Sequence, residues 1–375
     1  MSSDAFAVDV QILDDRDLVH DYTNMPFTPV HSLLGGSLLF LASQQYMLLF
    51  DKTFGCSSIL AQTILHPAAA IEGLQAPAFA GMLLASYLYT TQARSLLPPA
   101  LSLVPEQKLA GDLGKQALAG LLVGLGTRLA NGCTSGHMLN GLAKLSVRSF
   151  VATCCFFGSA VATVALFNTA PGPGRDLLQG SFFTAAPIAA DTVTRLLYLV
   201  GFAISVNASC FYLRKIQQRR DSSKPASSTY RFIAAFLAGA TFATGLLMSG
   251  MSMPTKTLGF LNVLQAWRGV PGAEFDPSLL MIVLGGLLPN LIMTQLYTKS
   301  QRPLMATGTQ APASGKGQVT KRLVGGSLLF GIGWGISGIC PGPAIVNLVS
   351  SWPLSTDFVT FFASLVVGSK VAEYV

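Results

Sequence analysis

Residues Leu328 to Leu348 read LLFGIGWGISGICPGPAIVNL: a glycine-studded apolar run, the break SGICPGP at Ser337 to Pro343, and then an apolar stretch too brief to cross a bilayer. A spanning helix needs about 20 residues to traverse roughly 30 Å of hydrocarbon. Irregular backbone at that depth survives only when buried in protein or lining a cavity. The stretch therefore predicts a full span followed by a short re-entrant helix, with Pro341 suited to its first turn.

The same plan recurs along the chain. The hexapeptide GGSLLF occurs at residues 35 to 40 and again at 325 to 330. Four breaks follow Gly-rich apolar runs: GCSS at Gly55 to Ser58, NGCTSGH at Asn131 to His137, SGMSMP at Ser249 to Pro254, and SGICPGP. After them come ILAQTIL, MLNGLAKL, TKTLGFLNVL and AIVNLV. Ser57, Ser135 and Ser252 read as N-caps, and Pro254, like Pro341, as a first-turn residue. Helix N-termini inside a membrane present N–H groups and a partial positive end, which suits an anion. The alternative is four glycine-rich hairpins kinked for packing, through pairs such as Gly120 with Gly124 or Gly331 with Gly335. Cap and proline signals at the breaks favour the re-entrant reading.

Composition agrees with a membrane setting. The chain is 51% apolar and 11% charged, with a mean hydropathy of +0.52, against about 25% charged residues in soluble domains. Nine apolar runs lie near residues 31 to 50, 76 to 92, 113 to 131, 149 to 169, 190 to 213, 231 to 250, 278 to 298, 322 to 339 and 355 to 372. The expected fold is all-α: about nine transmembrane helices plus four re-entrant helices. Two units precede the fifth span and two follow it, which inverts the second half relative to the first, as in many transporters. The divisions are a polar acidic tail at 1–30, a first half at 31–169, a loop and linking helix at 170–213, a basic loop at 214–230, and a second half at 231–375 with a flexible loop near 299–321.

The net charge of +7 lies mainly between apolar runs, where it sets orientation and does not indicate nucleic acid. The most basic connections, Arg214 to Arg231 and Lys299 to Arg322, are expected in the cytoplasm. Counting through nine spans then puts the N-terminus outside and the C-terminus inside. The first 25 residues carry six Asp and lack an apolar core, so they do not read as a cleaved signal peptide. Arg128, Lys144 and Arg148 flank the second break, where they can recruit anions or simply anchor the cytoplasmic face; Lys256 and Asp276 bracket the third short helix with the same two readings.

Six cysteines, Cys56, Cys133, Cys154, Cys155, Cys210 and Cys340, form no CxxC pair, so neither disulfides nor zinc are expected. Cys133 and Cys340 sit inside breaks of opposite halves. A thiol is a weak donor with a polarizable sulfur, able to meet a sulfur anion without trapping it. Cys56 lies in the first break and is a further candidate, whereas Cys154, Cys155 and Cys210 sit in unbroken runs and read as small-residue filler. His137 could carry a proton, donate to the anion or cap a helix. Ser135, Gly136, Pro341 and Gly342 complete the candidate substrate-contact set. No cofactor is implied. GWGISG at Gly333 to Gly338 matches a dinucleotide fingerprint but follows no strand, the glycine spacing near Lys316 fails the P-loop pattern, and no protease or hydrolase motif occurs.

The stretches LANGCTSGHMLNGLAKLSVRS (Leu129 to Ser149), GLLMSGMSMPTKTLGFLNV (Gly245 to Val263), FDPSLLMIVLGG (Phe275 to Gly286) and LLFGIGWGISGICPGPAIVNL resemble the YeeE/YedE family, the thiosulfate-transporter type with sulfur-transport domains. The resemblance extends over nearly all of the chain beyond residue 30. It implies an hourglass-shaped helical transporter in which cysteine thiols pass thiosulfate across a narrow middle by transient S–H contacts, roles that fall here to Cys133 and Cys340. It implies uptake across the cell membrane, with the lipid bilayer as surroundings and a cytoplasmic sulfur-handling protein as a conceivable recipient. The chain departs from the pattern at Cys56 (GCSSIL in place of GISGIL), Met138, Val147 and Met253. Its two basic halves look like a fusion of components that some members encode separately. A membrane sulfur-transfer or redox enzyme using Cys133 and Cys340 covalently, or a non-transporting subunit, are the competing readings.

Overall fold

The computed structural model describes residues 27–93, 112–167, 190–220, 227–270, 275–298 and 318–375. Its elements are all helical: α1 (Pro29–Phe50), α2 (Cys56–Leu65), α3 (Pro67–Glu72), α4 (Gln75–Leu88, continued by a π turn), α5 (Leu113–Leu129), a π segment (Ser135–Gly141), α6 (Val147–Phe167), α7 (Ala190–Arg220), α8 (Ser228–Met248), α9 (Pro254–Leu261), α10 (Val263–Trp267), α11 (Pro277–Leu296, partly 3-10 and π), α12 (Lys321–Ser337), α13 (Pro341–Ser350) and α14 (Thr356–Val371). Helices lie over every expected apolar run. By length and apolarity α1, α6, α8, α11 and the stretch Lys321–Ser350 could each cross a membrane. The acidic tail before Phe27 and the loop at 299–317 lie outside the described residues.

One boundary is corrected. Residues Arg214 to Arg220, expected as loop, continue α7, because Arg, Lys and Gln are good helix formers, the single Ile216 is tolerated, and no breaker intervenes before Pro225.

The side-chain caps also fall elsewhere than expected. They begin several of the long helices: Asp112 accepts from Lys115 N at 2.8 Å, and Ser227, Thr320 and Ser355 accept from Tyr230, Leu323 and Phe358 N at 3.2 Å. The short helices start on Gly55, Thr134, Met253 and Cys340, with no side-chain cap bond. Ser57, Ser135 and Ser252 therefore do not cap their own helices. Pro254 and Pro341 do occupy first-turn positions.

The two halves interlock. From the second half α8 packs on α4 and α1, while α12 and α14 pack on α5 and α12 also on α6. Small residues permit this. Gly120 and Gly124 face the Phe361 and Leu365 carbonyls of α14, where a methyl would collide with backbone. Gly331 and Gly335 meet the Phe156 and Ala160 carbonyls of α6 in the same manner. The GxxxG pairs thus do pack helices.

Basic residues gather at one end of the bundle. Arg128 at the end of α5 and Lys370 at the end of α14 reach Glu373, at 3.4 and 2.7 Å, and His66 after α2 reaches it at 2.7 Å. Hydrogen bonds from Lys370 and then His66 hold the Glu373 carboxyl down at about 2. Arg322 binds the Ala372 carbonyl at 3.2 Å and Lys52 that of Gly73 at 3.1 Å.

Candidate functional site

The breaks meet in the middle of the bundle. Gly338 ends α12 in the left-handed region, φ 72°, and the extended Cys340 then starts α13. This reversal brings the Cys340 sulfur to 3.5 Å from Thr134 Oγ1 in the second break. The neighbouring Ser135 hydroxyl lies 3.2 Å from the Cys133 sulfur and accepts from the Cys56 backbone N–H at 3.0 Å. It stands in for the cap that α2 lacks. Gly342 closes the circuit, since a Cβ built on it would lie 3.3 Å from the Cys56 sulfur. Asn140 fixes the second break by donating to Ser135 O at 2.7 Å and Phe54 O at 3.3 Å.

The third break joins through backbone. Asn347 of α13 donates to Ser252 O at 2.9 Å, and Gly338 abuts the Pro254 carbonyl. The starts of α2 and α9 therefore both lie against the turn that begins α13.

A cavity of about 250 Å³ adjoins that turn. Cys56, Thr134, Ser135, Cys340 and Gly342 line one part of it. The remainder is apolar, including Met138, Met251, Phe242 and Trp334, with Phe157 and Phe260 packed edge to face at 5.7 Å. Among the described residues no Asp, Glu, Lys, Arg or His lines the cavity. Such a space is hostile to strongly hydrated ions. It offers a polarizable or partly desolvated ligand two thiols, two hydroxyls and nearby helix starts.

The sequence-derived candidates separate within this geometry. Cys56, Ser135, Cys340 and Gly342 border the cavity. Cys133 is wholly buried and joins them through the Ser135 hydroxyl, without bordering the cavity itself. Pro341 is buried in the first turn of α13, and a side chain added at Gly136 would meet nothing within 4 Å. His137 faces away, its Nδ1 3.1 Å from Ser149 Oγ and its Nε2 3.1 Å from Ala130 O. A carbonyl only accepts, so the proton of the neutral ring sits on Nε2 and Ser149 donates to Nδ1. Arg148 donates to the same Ala130 carbonyl at 2.9 Å. His137 and Arg148 thus brace the turn that carries Cys133. Cys154 is exposed and Cys155 half-buried on α6, away from the cluster; the Cys210 side chain lies outside the described residues.

Thr134, Met251 and the aromatic wall were not anticipated. Thr134 could have been found from its place between Cys133 and Ser135. Lys256 was noticed, but its role was left open: it is fully buried and donates to Thr28 Oγ1 at 2.9 Å, Asp276 Oδ2 at 3.0 Å and Ser278 Oγ at 3.1 Å.

A helical bundle with several bilayer-length apolar elements around a largely apolar central cavity defines a multi-pass membrane protein. A family model described as "Sulphur transport" matches residues 27–162, and one described as a "Family of unknown function (DUF6691)" matches residues 230–375. A "Probable transporter" of Xylella fastidiosa is 38% identical over 121 residues, 32% of this chain and 76% of the relative. Another "Probable transporter" of that organism is 36% identical over 140 residues, 37% of this chain and 94% of the relative. The chain belongs to the sulphur transport family.

Proposed function

We propose that this protein takes up thiosulfate, or a related small sulfur-containing anion, across the cell membrane through the central cavity, with Cys56, Cys133 and Cys340 as transient hydrogen-bonding relays. The observation that carries the reading is the placing of the Cys56 and Cys340 thiols and the starts of α2 and α13 at one largely apolar cavity, with the buried Cys133 thiol joined to them through the Ser135 hydroxyl. Each such helix start contributes up to about half a positive elementary charge. The thiols add weak donors to a soft terminal sulfur. Neither holds an anion as firmly as a buried Lys or Arg would, and conduction requires release as well as binding.

In this reading all nine long helical stretches span the bilayer and α2, the π segment, α9 and α13 are re-entrant. α2 leaves the centre toward the basic end, where His66 follows it, and α13 leaves toward the opposite end. That opposed pair is what an inverted repeat and an hourglass predict. The basic end is cytoplasmic, with the start of α1 outside and the end of α14 inside.

The test is growth of a sulfur-auxotrophic host on thiosulfate as sole sulfur source, with Cys133→Ala and Cys340→Ala as separate variants. Growth is expected with wild type and lost with Cys340→Ala. Absence of growth with correctly inserted wild type, or normal growth of both variants, overturns the relay. A covalent persulfide trapped on Cys340 during turnover would instead establish sulfur-transfer chemistry.

A further inference from the structure

His31 is 2% exposed, and neither of its ring nitrogens finds a hydrogen-bond partner among the described residues. A buried imidazole without a partner is costly and calls for an explanation. It stands one helical turn beyond Thr28, on the same face of α1. Thr28 is itself locked to the buried Lys256–Asp276 pair and to Ser278, whose hydroxyl accepts from Thr28 N at 3.0 Å. His31 also lies within electrostatic reach of Lys256.

This cluster adjoins the cavity on the side away from the basic end. Ser278 runs directly into the cavity-lining Leu279 and Leu280, and α9, which carries Lys256, supplies the lining residue Phe260. The charged groups facing His31 are few. α9 contributes Lys256 and the start of α11 contributes Asp276, and these neutralise each other. Arg195 of α7 is exposed, while Arg231 of α8 lies near Tyr46 and Lys52 at the other end of α1. Among the described histidines His31 alone has both ring nitrogens unpartnered, one turn from the Thr28–Lys256–Ser278 cluster that leads into the cavity wall.

We propose that His31 is the proton-binding site that couples anion movement to a proton gradient. The inference rests on the transport reading above. Carrying a dianion into a cell against an inside-negative potential costs about 2.3 kcal/mol per charge per 100 mV, so inward accumulation requires a cationic companion. An anion in the cavity favours the imidazolium and, reciprocally, a proton on His31 favours the anion. The proton enters from the outer side with the anion and leaves after the anion has been released inside.

The test uses full-length protein in proteoliposomes with labelled thiosulfate, the membrane potential clamped at zero, and the exterior one pH unit more acidic than the interior. With one proton coupled per anion, wild type accumulates label about tenfold, since a factor of ten corresponds to about 1.4 kcal/mol. His31→Gln is expected to exchange labelled for unlabelled thiosulfate at equal pH yet bring label only to equality across the membrane. Wild type that exchanges but does not accumulate, or His31→Gln that accumulates as wild type does, overturns the proposal. Wild type that neither exchanges nor accumulates overturns the transport reading itself, and the coupling with it. A second measurement does not depend on the variant folding. Wild-type protein in detergent binds thiosulfate, followed by fluorescence of the cavity residue Trp334, and takes up protons from a weakly buffered dye solution. Binding without proton uptake also refutes the role of His31.

Discussion

Replacing Ser135 with Ala tests how the three breaks are held together. The Ser135 hydroxyl accepts from the Cys56 N–H at 3.0 Å and meets the Cys133 sulfur at 3.2 Å, and α2 has no side-chain cap of its own. Ser135→Ala leaves that buried N–H unpaired, a cost of about 1–3 kcal/mol, similar to or above the loss of an ordinary N-cap. The cost falls locally, on the start of α2 and on the thiol beside Gly342, because the long helices keep their caps and their glycine contacts. If transport needs Cys56 and Cys133 held in place, a penalty of that size lowers thiosulfate uptake by about 5- to 150-fold. Ser135→Thr keeps the acceptor and is expected to stay within about threefold of wild type. Uptake into cells, measured beside the thermal stability of the detergent-purified variants, separates the local effect from general unfolding. Wild-type uptake by Ser135→Ala would refute the bridging role, and so would equal damage from the Thr and Ala variants.

Cys154→Ala, on the exposed face of α6, is expected to leave uptake within about twofold of wild type. It serves as the control for the loss expected of Cys340→Ala in the same assay. Asp276→Asn strips the buried Lys256 of its ionised partner at 3.0 Å. Breaking a buried pair from one side costs about 3–5 kcal/mol, so a marked fall in melting temperature and in folded yield is expected by thermal-shift measurement. Gly124→Leu drives a side chain into the Leu365 carbonyl and is expected to abolish folded protein in size-exclusion chromatography, whereas a change at Gly158, where an added Cβ meets nothing within 4 Å, is expected to be tolerated.

The elements were legible because bilayer thickness imposes a length and the interior imposes apolarity, both of which a sequence displays. The breaks were legible because proline and glycine alter backbone geometry locally: Pro254 and Pro341 sit where helix starts need them, and Gly338 takes the left-handed turn that ends α12. The serines misled. Each looked like a local cap, yet Ser135 bonds to Cys56, 79 positions away. Ser252 offers its carbonyl to Asn347 while its hydroxyl has no partner among the described residues. A hydroxyl carries no mark of which helix it will serve when several helix starts are crowded together. His137 was ambiguous for a related reason. Its place in the second break allowed a proton carrier, an anion contact or a helix cap, and its ring bonds Ala130 and Ser149 across a turn whose path only the fold determines.

The separation of full charges from the cavity bears on how such a site could work. Two unit charges 4 Å apart near a protein surface interact by about 4 kcal/mol, and a dianion doubles that, so a lysine in the cavity would slow release by several orders of magnitude. Lys256, the one fully buried lysine among the described residues, is instead held by Asp276, Thr28 and Ser278. Thiols, hydroxyls and helix starts exert a field that falls off faster than that of an ion, so an anion is drawn in at close range and let go once displaced. On that logic Cys56 and Cys340 belong to the cavity wall because they are soft and uncharged, and the charge-bearing group belongs one layer outward, beside His31.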